Sequence, residues 1–167
     1  MKNIIICIFI TLINVFVLNL KSNAQQLNKD EYYTAMSSNN ISEINTQLEI
    51  LKNATFDDKD AFEGALLMKK AGVISNLREK LNLFKSGHTK LEAAILKHSD
   101  NIEYRFLRVI IQENAPGIVH YKKDLTADCD IIKNAFSKLL PSLQQHIVNY
   151  GKVSRLPILK ELQMNSR

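Results

Sequence analysis

Arg105 and Arg108, one helical turn apart in IEYRFLRVIIQEN, are the pair whose type and spacing best suit chemistry in this chain. Guanidinium groups at i and i+3 share a helix face, close enough to converge on one anion, and each offers a planar fork of donors that matches a carboxylate or phosphate. Gln112 continues the same polar strip with an amide that both donates and accepts. Arg105, Arg108 and Gln112 are therefore the candidate binding residues, for a carboxylate, a phosphate or a partner peptide's terminus. The pair suits a structural role equally well, as the cationic half of a salt bridge to a neighbouring helix, with Glu63 and Glu92 the obvious acids. Both readings stay open at this level.

Little else in the chain has a reactive pattern. His98, Asp100 and Glu103 gather near a helix junction, but their spacing matches no established ligand set, and Asp100 with Glu103 serves as a helix start signal. No metal site and no cofactor is expected. The four histidines, His88, His98, His120 and His146, are scattered and show no H-E-x-x-H spacing, and G-x-S-x-G, C-x-x-C and a phosphate-binding glycine loop are absent. His88 is the one polar member of an apolar stripe, which suits a core-edge histidine or a ligand or general base. Cys129 lies in an apolar-periodic segment and reads as a small buried hydrophobe, since a nucleophilic thiol needs a cationic, partly exposed setting. No catalytic residue is assigned. An enzyme assembled from distant residues stays open, because catalytic groups need meet only in space.

The elements that must position these groups read as helices throughout. Asn28 with Glu31, Asn40 with Glu43, Asn76 with Glu79 and Asp100 with Glu103 each place an acceptor at a cap and a carboxylate in the first turn. The expected helices run over 28–37, 40–52, from Thr55-Phe56-Asp57-Asp58 to a C-terminal cap at Gly72, then 76–97, 102–114, 125–139, 141–150 and 156–164. Thr55 and Asp58 are the expected capping pair for the third. That helix carries Ala61, Gly64, Ala65, Met68 and Ala71 on one side, a small-residue surface that lets a neighbour approach closely. Gly87 interrupts the long 76–97 helix at a cost near 1 kcal/mol relative to alanine, which implies close packing or a bend. The 102–114 segment is apolar on two sides, so the strip holding Arg105, Arg108 and Gln112 is narrow. No stretch alternates with a two-residue period, so no sheet is expected. The fold class is all-α, a helical-hairpin bundle of about seven or eight helices.

The first residues, MKNIIICIFITLINVFVLNLKSNAQQ, join Lys2 to an apolar run from Ile4 to Leu20 and the small residues Ser22-Asn23-Ala24. This pattern is a secretory signal peptide at 1–24, with an uncleaved anchor as the alternative, and 25–167 forms a single all-helical domain. No lipobox ends at Cys7. The protein is thus expected to be exported, to the periplasm or beyond. Cleavage leaves roughly 140 residues, enough for one core, and only Cys129, so no intramolecular disulfide forms despite an oxidising destination. The formal net charge of the whole chain is +5. With lysines interspersed among Glu, Asp and Asn, the surface reads as solvated and mixed in charge: neither a nucleic-acid patch nor an anionic-membrane patch is expected, nor stable membrane insertion after cleavage.

Two resemblances add to this reading. LEAAILKHSDNIEYRFLR resembles the second helix of a tetratricopeptide unit running into the next: Gly87, Leu91 and Ala94 match its small, large and small positions, and Asp100-Asn101 its turn. Ser99 replaces the usual proline, the preceding helix is too long, and no second copy appears at the period of about 34 residues. The resemblance implies helical-hairpin packing. The run from Lys80 to Pro116 is similar to a group of small exported bacterial proteins with an F-x-x-G-x-x-x-L-x-x-A-I helix followed by E-x-R-F-L-R and N-A-P, carried here by Phe84, Gly87, Leu91, Ala94, Ile95, Glu103, Arg105, Phe106, Leu107, Arg108, Asn114, Ala115 and Pro116. It implies fold and export, and no activity. The expected function is an exported adaptor or scaffold that binds a protein or peptide in a groove between helices. The alternative is a small-molecule or lipid carrier with an apolar interhelical cavity.

Overall fold

The computed structural model describes residues 27–165; the signal peptide expected at 1–24 lies outside them. The described residues form eight α-helices and no strand: α1 Lys29–Ser37, α2 Ile41–Asn53, α3 Lys59–Val73, α4 Leu77–Lys97, α5 Ile102–Asn114, α6 Leu125–Ala135, α7 Pro141–Gly151 and α8 Pro157–Asn165.

Asparagine caps set most of the early starts. Asn28 accepts from the amides of Asp30 and Glu31, Asn40 from Ser42, and Asn76 from Glu79. The side-chain Nδ2 groups of Asn28 and Asn40 donate in turn to the carboxylates of Glu31 and Glu43, at 3.1 and 2.9 Å, which holds each capping side chain in place. Pro141 occupies the first turn of α7, where its missing N–H costs nothing.

Four local expectations are corrected. Asn101, one residue past Asp100, caps α5 by accepting from Glu103 and Tyr104. Asp58 precedes α3 without capping it; its carboxylate instead accepts from the Tyr104 hydroxyl of α5. Gly72 is no terminator: α3 continues through Val73, and no described glycine adopts positive φ. The expected helix over 125–139 breaks at Ala135 into a short 3₁₀ turn, Phe136–Lys138.

The α3–α4 hairpin is the tightest pairing. Ala61, Gly64, Ala65, Met68 and Ala71 are all buried, and Gly64 and Gly87 face each other where the helices cross. A Cβ on Gly64 would come within 2.7 Å of the Gly87 carbonyl oxygen and the Leu91 nitrogen, and one on Gly87 would strike the Gly64 carbonyl. Glycine is present in mid-helix because the two backbones occupy the space a side chain would need. From α3 the bundle spreads both ways: α2 and α5 pack on it, α6 packs on α5, α8 on α6 and α7, and α7 returns to α1. Helix α5 is the hub, with Tyr104 and every residue from Phe106 to Glu113 buried.

Candidate functional site

The buried strip of α5 places the arginines first. Arg108 donates from Nε to Asp128 Oδ2 at 2.6 Å, from Nη2 to Asp128 Oδ1 at 2.9 Å and from Nη1 to Glu92 Oε2 at 2.9 Å. Arg105 donates from Nη1 to Asp128 Oδ1 at 2.8 Å and holds the Ser99 carbonyl through Nε and Nη2. Asp124 stands 3.6 Å from Arg108, and the Tyr121 hydroxyl donates to Glu92. The two guanidinium groups therefore do converge on one carboxylate, and it belongs to this chain. Asp128 is fully buried in α6, Glu92 comes from α4, and the cluster ties α4, α5 and α6 together.

Within this cluster Arg108 stays charged. Burial pulls the Arg108 pKa down, and the hydrogen bonds and charge of Asp128, with the charges of Glu92 and Asp124, more than reverse that pull, leaving it above the ordinary arginine range. Tyr121 is pushed far up by burial and then by its bond to Glu92, so it remains a neutral donor. Glu63 is not in the cluster; it pairs with Lys90 at 3.1 Å, which also reaches Asp60 at 2.8 Å. Gln112, the third candidate, is fully buried, and neither its Oε1 nor its Nε2 has a hydrogen-bond partner among the described residues.

The sequence carries one local signal for Asp128. It sits between Leu125 and Ile132 at i+3 and i+7, an acid inside an apolar helical stripe, and such an acid demands a buried cation. Glu113 gives the same signal at the end of α5. It is buried, and its carboxylate accepts from the Tyr150 and Ser154 hydroxyls at 2.7 and 2.8 Å and from the Arg155 backbone amide at 2.6 Å.

The histidines stay apart. His88 is half-buried, stacked on Phe84 and edge-on to Tyr121. His98 ends α4. His146 is buried and stacks on Tyr33 with ring centroids 4.2 Å apart, its Nε2 standing 3.5 Å from Asp30. No group of three or more His, Cys, Asp or Glu side chains among the described residues is arranged to hold a metal. Cys129 is buried, and its thiol is pushed up to about 11 by desolvation and then by the charges of Asp128, Asp130 and Glu113.

Two open depressions mark the surface. One, of about 500 Å³, lies along α7 and is lined by Pro141, Gln144, Gln145 and Val148 together with Phe136 and Gln163. The other, of about 360 Å³, separates α1 from α2, with Asp30, Glu31 and Glu43 on its walls beside Thr34, Thr46 and Gln47. Gln47 is 4% exposed; its Nε2 reaches Glu31 at 3.5 Å, and its Oε1 has no hydrogen-bond partner among the described residues. No known protein family, curated protein or solved structure matches the chain.

Proposed function

We propose that the chain is an exported helical adaptor that offers the groove between α1 and α2 to a segment of a protein or peptide partner. The observation that carries this reading is the groove's chemistry. Three carboxylates, Asp30, Glu31 and Glu43, line it with no cation among the lining residues. The Thr34 and Thr46 hydroxyls donate back to the Asp30 and Ser42 carbonyls and keep lone pairs free. Gln47 closes the wall between them, its Nε2 reaching the Glu31 carboxylate at 3.5 Å. The occupant that fits is a segment presenting lysine or arginine.

Export rests on the Lys2, Ile4–Leu20 and Ser22-Asn23-Ala24 pattern. The tetratricopeptide-like style belongs to the same proposal and rests on Gly87 and Leu91 lying buried against the neighbouring helix. In this reading Arg105 and Arg108 frame the bundle and do not meet the partner.

The test is fluorescence anisotropy of labelled basic peptides against residues 25–167. Glu31→Gln with Glu43→Gln is expected to weaken binding about tenfold or more, in line with about 1–3 kcal/mol for charge-assisted contacts, and lysine acetylation of the peptide to do the same. Unchanged affinity in both cases sinks the reading. Loss of the partner only in a folded Arg105→Ala plus Arg108→Ala variant would move the site to α5.

A further inference from the structure

Helix α4 has an apolar stripe of Leu77, Leu81, Phe84, His88, Leu91 and Ile95, and only its lower part is covered. Leu91 and Ile95 are buried and Phe84 packs edge-on against Tyr121, while Leu77 is 78% exposed and Leu81 49%. Helical spacing sets Arg78 and Lys85 along one border of this uncovered stretch and Lys80 along the other. None of these three forms an ion pair among the described residues. The end of α3 that leads into the turn adds Lys69, Lys70 and the half-buried Val73 and Ile74. Between residues 69 and 85 the sole acid is Glu79, two residues on from Leu77 and so on the opposite side of the helix. The expectation of evenly mixed charge fails at this one end of the molecule.

We infer that this end of the α3–α4 hairpin is a docking surface for an anionic bilayer. Leu77 and Leu81 enter the boundary between headgroups and acyl chains, and Arg78, Lys80 and Lys85 meet lipid phosphates from both sides of the ridge. Charge complementarity selects this occupant. The cations are of one sign, unpaired and carried on long stems that can reach up from a buried apolar ridge, as a headgroup layer requires, and they enclose no pocket shaped for one particular acid. The attachment is peripheral: among the described residues no helix is long and apolar enough to cross a membrane. The surface is separate from the α1–α2 groove, so a bilayer and a basic segment can be held together.

Cosedimentation of residues 25–167 with vesicles of phosphatidylcholine, with or without about 30% phosphatidylglycerol, tests the inference. Association with the anionic vesicles alone is expected, weakened by salt and reduced more than about tenfold in Leu77→Ser plus Leu81→Ser and in Arg78→Glu plus Lys85→Glu. These side chains lie at the surface, so circular dichroism should show both variants folded. The Glu31→Gln plus Glu43→Gln variant should bind vesicles like the parent, which separates a failure of this surface from a failure of the groove. No association, or association that both double variants retain, overturns the inference. So does a protein that ignores vesicles but self-associates in sedimentation velocity through Leu77 and Leu81, which would make the ridge an interface between copies.

Discussion

Asp128 is the fully buried acid on which two guanidinium groups converge, both of its oxygens accepting directly from them. Removing one partner of a buried pair leaves the other charge uncompensated, so Asp128→Ala is expected to lower unfolding free energy by about 3–5 kcal/mol in urea titrations. Glu63→Ala should cost under about 1 kcal/mol, since the Lys90 side chain is 33% exposed and keeps Asp60. A loss at Asp128 no larger than at Glu63 would refute the account of the cluster. Cys129 supplies an independent probe next door. With its thiol near 11 and buried, it should react with a disulfide reagent at pH about 8 only as fast as the protein opens, and rapidly in urea. The linked stability is complete below the unfolded thiol's value and is lost as pH rises through the folded one. Both Asp128 and Glu113 could be found in the sequence as acids on apolar faces; their partners could not, because side chains 20 and 41 residues away meet them only once the helices have packed.

At the scale of elements, the two glycines of the α3–α4 hairpin separate packing from propensity. Gly87→Ala forces a methyl group into the Gly64 carbonyl and should destabilise the fold by about 1–3 kcal/mol or more. Gly72→Ala meets nothing within 4 Å inside α3 and should stabilise it by up to about 1 kcal/mol through helix propensity alone. Thermal melts of the two variants should therefore shift in opposite directions. The sequence carried the helix count well because apolar spacing and asparagine caps are local signals. Gly87 was legible too, since a glycine inside a strong amphipathic pattern needs a reason such as close approach. Gly72 misled because a glycine near a helix end resembles a cap, while the chain keeps φ negative and turns two residues later. Likewise Leu77 and Leu81 share a stripe with Leu91, yet both are exposed; periodicity marks a face and cannot say how far along the helix that face is covered.

On the whole molecule, closure of the bundle runs through His146, which joins α7 to α1 by stacking on Tyr33. Burial lowers its pKa, against the opposing charges of Asp30 and Glu103, while Lys29 lowers it further. The neutral ring is thus the form that suits the fold. Its contribution is complete above the unfolded histidine value, near 6.5, and fades as pH falls through the lower folded value. Urea midpoints should drop from pH about 7 toward 5, and His146→Gln should flatten that slope. A variant with the parent's slope would assign the dependence elsewhere. The Glu113 carboxylate has a different kind of consequence. It takes the Arg155 backbone amide at 2.6 Å, in the irregular stretch between α7 and α8, where an N–H would ordinarily trade its hydrogen with solvent in moments. Locked to a buried acid, that one amide should exchange with deuterium as slowly as those of α5, so an isotope map would show a protected point inside a loop, opening only when the whole chain does.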